Sequence, residues 1–258
     1  KSTVSKALSG ARDVSSTMRQ SVLEKAVEMA LEMEQAGADI IDIGGESSRP
    51  GSEIISAEEE MSRLFPLLDE ICRRVRIPVS LDTRKGSVAE RALDAGVSII
   101  NDISALTYDL SIIEIVKKYK CDIILMHMEN IPPGGDTVKE VVSYLGERIG
   151  VLQRLGIERD RITLDPGIGF GKDQDGNTAL FGGIPDLKRL GCPVLMGYSR
   201  KSFIGRITGR DTGDRLAGTL ACTAASCRLG ADVLRVHDVK ETLDVINVLK
   251  AIDRAHGR

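Results

Sequence analysis

Residues 78–104, PVSLDTRKGSVAERALDAGVSIINDIS, contain the pattern that decides the fold. Two short apolar runs, PVSLDT from Pro78 and SIINDIS from Ser98, flank a longer segment with helical periodicity. The runs are almost continuously hydrophobic, which is typical of strands covered on both faces in a parallel sheet. A strand, a helix and a second strand in this order predict a βαβ unit.

The same pattern extends outward in both directions. Five further apolar runs begin at Ala38, Cys121, Ile162, Pro193 and Asp232. Strands alternating with helices predict a TIM (β/α)8 barrel, an α/β fold, in which the first of the eight strands is not evident. No linker divides the sequence, so we expect one barrel domain over residues 1–258, with residues 1–15 as an irregular N-terminal segment.

The segment ahead of the run at Ala38 is SVLEKAVEMALEMEQAG, residues 21–37, and it predicts a helix. Apolar side chains recur on one face of that helix, namely Val22, Ala26, Met29 and Met33. Gly37 stands where a C-cap is expected.

The composition excludes several classes of protein. A formal net charge of -3 and an aromatic content of 3% argue against a nucleic-acid-binding protein. No apolar run reaches the roughly 20 residues that cross a bilayer, and the polar sequence KSTVSKALSGARDVSS lacks the apolar core of a signal peptide. The five cysteines form no C-x-x-C pair and no evident disulfide framework, so we expect a cytoplasmic protein without a membrane or nucleic-acid partner.

Polar side chains follow every predicted strand. An Asp or Asn in such a place is often only a helix N-cap or a turn former, which is a sufficient explanation for Asp102 and Asp238. It does not explain polar residues after all seven strands, whose carboxyl ends form the active-site face of a barrel. The set comprises Asp42, Glu46, Ser47, Ser48, Arg49, Asp82, Asn101, Asp102, His127, Asp165, Ser199, Arg200, Lys201, Arg235 and His237.

The residue types indicate the ligand. Ionised carboxylates only accept hydrogen bonds, so Asp82 and Asp165, beside the amide of Asn101, suit a heterocycle with N–H and amino groups. Barrels of this class commonly bind phosphate near their last two strands, which here carry a cationic cluster of Lys201, Arg235 and His237. The pattern therefore predicts a nitrogen heterocycle attached to phosphate.

Two features that could suggest a phosphate-binding loop and a metal site do not have the required spacing. DPGIGFGK, residues 165–172, lacks the spacing of a phosphate-binding P-loop. Its glycines indicate instead a flexible loop that lets the backbone approach a ligand closely, and they are Gly167, Gly169 and Gly171. His127 and His237 lack the spacing of metal ligands, so a zinc site is not expected.

These residues resemble one known family. ADIIDIGGESSRPG, SLDT, IND, MHM, LDPGIGFGK, GYSRKSFIG and RVHDV follow one another in the order seen in dihydropteroate synthases. The resemblance runs from about Ala38 to the C-terminal helix. It implies a transferase of folate biosynthesis that joins 6-hydroxymethyl-7,8-dihydropterin pyrophosphate to p-aminobenzoate, works as a homodimer and uses Mg²⁺.

The resemblance also implies roles for single residues. It makes Lys201, Arg235 and His237 catalytic, with Arg235 and His237 binding the pyrophosphate. It places Ser48 and Arg49 in a mobile loop near the p-aminobenzoate site. The pterin-binding set is Asp82, Asn101, Asp165, Phe170 and Lys201.

The sequence departs from the family in two places. The family's opening segment, similar to MGILNVTPDSFSDG, is not found, and its Asn helps to hold magnesium, so the metal ligands here are unassigned. The segment MENIPPGGDT, residues 128–137, lacks the family's usual MQ-containing loop. Two alternatives therefore stay open: a non-catalytic pterin-binding paralogue, and a pterin-dependent methyltransferase domain, against which SRKSF and RVHDV argue.

Overall fold

The computed structural model describes residues 16–46 and 53–255. Seven strands lie in these ranges, one at each predicted apolar run, and helices separate them. The predicted irregular segment 1–15 and the predicted loop residues Ser48 and Arg49 lie outside the described residues.

The elements alternate as predicted. The strands are β1 Ile41–Gly44, β2 Val79–Asp82, β3 Ile99–Asp102, β4 Asp122–Met126, β5 Ile162–Asp165, β6 Leu195–Met196 and β7 Val233–Leu234. The helices are α1 Ser16–Gln35, α2 Ala57–Arg74, α3 Gly86–Asp94, α4 Ser111–Tyr119, α5 Thr137–Arg154, α6 Gln174–Gly182, α7 Ile184–Lys188, α8 Ser202–Thr208, α9 Leu216–Leu229 and α10 Val239–Ala255.

The chain falls into two compact units, one ending at Ile123 and the other beginning at Ile124. In the first unit, β1 pairs with β2 and β2 with β3, in both cases parallel. Leu81 of β2 lies beside Ile100 of β3, and both side chains are fully buried. Each of the helices α1 to α4 packs against the next, so this unit consists of successive β/α pairs.

The second unit continues the pattern. The N–H of His127, just after β4, donates to the carbonyl of Asp165 at the end of β5 over 3.0 Å. Leu164 of β5 forms a parallel bridge with Val194, and β6 pairs with β7 in parallel. Its core includes the fully buried side chains Leu125, Leu145, Leu164, Met196 and Tyr198. The prediction of one domain over residues 1–258 stays a prediction.

Helix α1 forms where it was predicted but buries a different face. Met29, on the predicted apolar face, is 45% exposed, whereas Val27 and Ala30 are each 4% exposed. Apolar residues occur on several sides of this helix, so periodicity alone did not select the buried one. The predicted C-cap is confirmed: Gly37 has a φ of +99°, and the next N–H, that of Ala38, donates to Met33 O over 3.0 Å.

None of the described helices combines the length and the apolarity that crossing a bilayer requires.

Candidate active site

The first unit brings two predicted pterin ligands together at adjacent strand ends. The sheet register places Asp82 of β2 beside Asn101 of β3. Asn101 is fully buried, and its Nδ2 donates to Asp42 Oδ2 over 3.4 Å. Its Oδ1 meets no hydrogen-bond donor among the described residues. A buried acceptor in this state fits a donor supplied by a ligand.

Asp102 has a structural role, that of a turn former, which the sequence analysis considered for it. Its buried carboxylate accepts hydrogen bonds from the N–H groups of Ser104 and Leu106, each over 2.8 Å. Ala105 and Leu106 have φ values of +47° and +69°, so Asp102 stabilises a left-handed turn after β3. Burial raises the pKa of this carboxyl group.

A buried charge cluster lies beside these strands, and of its members the sequence analysis had singled out only Glu46. Lys85 Nζ donates to Glu60 Oε2 over 2.6 Å and also pairs with Glu46, which Arg84 contacts in turn. The Lys85 and Glu60 side chains are only 7% and 1% exposed. Burial alone would raise the pKa of Glu46, but the hydrogen bonds from Lys85 and Arg84 outweigh it and lower that pKa. Charged residues on amphipathic helices usually face water, so the sequence offered no signal that Glu60 is buried in this cluster.

In the second unit, Asp165 and Arg235 form an ion pair. Arg235 Nη2 donates to Asp165 Oδ2 over 2.8 Å, and Asp165 is fully buried. The other carboxylate oxygen accepts the N–H of Gly167 over 2.8 Å. An ideal Cβ on Gly197 would lie 2.8 Å from Arg235 Nη2, so a side chain there would displace the guanidinium. The structure thus joins a residue expected for the pterin to one expected for the pyrophosphate.

Lys201 rests on the loop that follows β5. Its Nζ donates to Ile168 O over 2.5 Å and lies 4.7 Å from the centroid of the Phe170 ring. Because the ammonium lies over an aromatic ring, a cation–π attraction adds to the hydrogen bond. Lys201 and Phe170, both predicted to bind the pterin, therefore lie within one small region of the second unit.

Two glycines of this loop have a packing role that the sequence did not predict. Gly167 and Gly171 have φ values of +70° and +60°, and a Cβ on them would lie 1.8 Å from His127 O and 2.3 Å from Glu129 O. The close approach seen at these two glycines is to the chain's own backbone after β4, and the predicted approach to a ligand stays a prediction. The loop requires glycine because it packs directly on that backbone.

His237 lies next to the turn that carries Lys201. The hydroxyl of Ser199 accepts the His237 N–H over 3.3 Å and lies 2.9 Å from His237 Nδ1. Arg200 has a φ of +56°, and its Nε donates to Asp238 Oδ2 over 2.9 Å. Partial burial of the imidazole and the nearby guanidinium of Arg200 lower the pKa of His237. His237 is thus held neutral over a wider range of pH than a solvated imidazole.

Two further titratable groups follow β4 and β5. His127 packs edge-on against Tyr144 with ring centroids 4.8 Å apart, and burial, followed by the charge of Lys172, lowers its pKa to about 4. Burial likewise lowers the pKa of Lys172 to about 8. Lys172 Nζ donates to three backbone carbonyls, those of His127, Gly167 and Phe170. The sequence analysis gave Lys172 no role, because only the folded loop shows what its ammonium contacts.

Comparison with known proteins identifies the family. The profile of the family described as pterin binding enzyme matches residues 12–237. The chain is 40% identical over 240 residues to the dihydropteroate synthase of a Synechocystis species, covering 90% of this chain and 83% of that one.

Solved structures agree. The Xanthomonas albilineans dihydropteroate synthase with 4-aminobenzoic acid superposes with a TM-score of 0.87 at 39% identity, covering 93% of this chain and 88% of the other. The same enzyme in complex with 7,8-dihydropteroate superposes with a TM-score of 0.82 at 38% identity, covering 90% and 86%. These similarities confirm the predicted α/β barrel class. The chain belongs to the pterin-binding enzymes, in the dihydropteroate synthase family.

Proposed function

We infer that the chain is a transferase of folate biosynthesis that condenses 6-hydroxymethyl-7,8-dihydropterin pyrophosphate with p-aminobenzoate to give 7,8-dihydropteroate and pyrophosphate. The family membership supports this reaction, as do the ligands named for the Xanthomonas enzyme. The observation in the structure that carries it is the ion pair of Asp165 and Arg235. A carboxylate suited to the pterin lies next to a guanidinium suited to the leaving pyrophosphate, and the reacting methylene carbon connects those two parts of the substrate.

We propose the following roles, unit by unit. In the first unit, Asp82 and Asn101 accept hydrogen bonds from the N–H and amino groups of the pterin. In the second, Asp165, Phe170 and Lys201 bind the pterin. Arg235 and His237 bind the pyrophosphate, and Ser48 and Arg49, outside the described residues, contact p-aminobenzoate.

The reaction is a substitution at the methylene carbon. The carbon–oxygen bond to the pyrophosphate breaks, the leaving group takes the electron pair, and the pterin ring supports the developing positive charge. The amine of p-aminobenzoate then forms the new carbon–nitrogen bond and loses a proton. The protein positions the partners and stabilises charge, with Arg235 and His237 facing the leaving group, and no side chain need act as a covalent nucleophile.

Magnesium stays a proposal. Among residues 16–46 and 53–255, no group of three or more His, Cys, Asp or Glu side chains is placed to hold a metal ion. The described residues therefore do not form a metal site made of protein ligands alone, and no step above depends on magnesium. Any Mg²⁺ would take most of its ligands from the substrate's phosphates and from water, as is common for this ion. Loss of turnover in EDTA, with recovery on adding Mg²⁺, would support its involvement.

Two further properties are proposals. We propose a homodimer, which is supported by the exposure of apolar side chains on α10, including Val248 at 59% and Ile252 at 43%. Light scattering would then give twice the 27.9 kDa chain mass. A cytoplasmic location is supported by the odd number of cysteines and the lack of a C-x-x-C pair.

The first test is release of pyrophosphate from the purified protein. We expect release only when both dihydropterin pyrophosphate and p-aminobenzoate are present. Lys201→Ala should lower kcat/KM by about 100-fold or more, since it removes a charge from the binding region. Pterin binding without release would indicate the non-catalytic paralogue, and methyl transfer from a methylated folate to a corrinoid would indicate the methyltransferase.

A further inference from the structure

The loop of residues 166–171 is fixed from two sides by groups that have no part in the proposed chemistry. On one side is Lys172, whose Nζ lies 3.1 Å from His127 O, 3.1 Å from Gly167 O and 2.8 Å from Phe170 O. An ammonium has three donors, so these three carbonyls use all of them. Lys172 therefore has no donor left for a phosphate or a carboxylate.

On the other side is Asn177, a fully buried residue of α6. Its Oδ1 accepts the N–H of Gly169 over 2.5 Å, and its Nδ2 donates to Lys172 O over 3.0 Å and Asp173 O over 2.6 Å. The amide thus uses its acceptor and both donors on the backbone around the loop. Asp173 caps α6 by accepting the N–H of Gly176 over 2.7 Å, so the position of Asn177 is set by the start of that helix.

The position of this loop determines the position of one side chain, that of Lys201. Ile168, between the residues held by Lys172 and Asn177, provides the carbonyl that accepts the ammonium of Lys201, and Phe170 provides the ring beneath it. Gly169 lies against the Lys201 stem, because an ideal Cβ there would be 3.1 Å from Lys201 Cδ. A shift of the loop would therefore move Lys201 directly.

We propose that Lys172 and Asn177 are positioning residues, which act on pterin recognition only by holding the 166–171 loop in the shape that places Lys201. The proposal rests on the proposed function in taking the pterin substrate as the ligand of Lys201. Buried, fully satisfied polar groups are suited to this task because they specify one backbone geometry. Displacement of a substrate-positioning group by about 1 Å is enough to reduce a rate about 100-fold.

The test is a double-mutant cycle with Lys201. We expect Lys172→Met and Asn177→Leu each to lower kcat/KM for the pterin substrate by about 10- to 100-fold in the wild-type background. In the Lys201→Met background the same substitutions should change it less than about 2-fold, because the side chain they position is gone. Lys172→Arg, which keeps a donor-rich cation, should restore part of the loss and serves as the second variant if Lys172→Met does not fold. Lys139→Met, an exposed lysine of α5, is the matched control and should leave kcat/KM unchanged.

Calorimetric binding of 6-hydroxymethyl-7,8-dihydropterin gives a second readout for variants with no measurable turnover, and the same non-additivity is expected in its Kd. Effects that are equal in the two backgrounds would overturn the proposal, since a residue that only stabilises the fold would give that result. If the wild type binds the pterin but shows no turnover, the proposed function fails, while the cycle in Kd still decides the roles of Lys172 and Asn177. If the wild type does not bind the pterin, both fail.

Discussion

At the scale of single residues, His127 makes stability depend on pH. The folded chain holds its imidazole at a pKa of about 4, against an ordinary value of 6.5. Between these values the unfolded chain binds a proton that the folded chain does not, so stability falls as pH drops from 6.5 to 4 and is unaffected by this group above 6.5. The effect amounts to at most about 3 kcal/mol.

Urea unfolding at pH values between 6.5 and 4 measures this loss of stability. His127→Gln should show a smaller loss of stability between pH 6.5 and 4 than the wild type, while the carboxylates titrate alike in both. His237→Gln is the matched control and should flatten the curve less, because His237 is more exposed. An unchanged slope in His127→Gln would contradict the argument.

At the scale of elements, the buried pair of Lys85 and Glu60 connects α2 to the start of α3. Lys85→Met would leave Glu60, 1% exposed, as an uncompensated buried charge, which should lower the free energy of unfolding by about 3–5 kcal/mol. Adding Glu60→Leu should recover much of that loss, because removing both charges avoids the desolvation penalty. Urea midpoints measure both effects.

The control for this pair is Lys118→Met. Lys118 pairs with Glu90 over 2.7 Å, but their side chains are 63% and 44% exposed, so the loss should be much smaller than that of Lys85→Met. Equal losses in Lys85→Met and Lys118→Met would show that burial of the first pair does not matter to stability.

At the scale of the whole molecule, pterin binding should stabilise the folded chain. Dihydropterin pyrophosphate at about 100 times its Kd should raise the free energy of unfolding by about 2.7 kcal/mol, or the melting temperature by roughly 5–10 °C. Lys201→Ala at the same ligand concentration should show a clearly smaller shift. Inorganic pyrophosphate alone is the control for simple anion binding, and an equal shift with it would argue against pterin recognition.

The strands and the strand-end residues could be predicted from the sequence because both are local properties. Each of the seven apolar runs forms a strand, since a continuous β-branched segment has few other ways to be buried on both faces. Asp82 and Asn101 were predictable as site candidates because they end two such runs, and the register then placed them side by side. The C-cap at Gly37 was equally local.

Only the tertiary structure decided which side chains meet. Asp165 and Arg235 are 70 residues apart, and nothing in either segment shows that they form an ion pair. The buried face of α1 likewise depended on what packs against it, because its apolar residues leave several faces open. Lys172 and Asn177 could not be assigned before the loop was folded, since their partners are backbone groups, which every sequence has. The sequence by itself therefore determined the elements and the family, while the partners of the charged and amide groups depended on packing between distant segments.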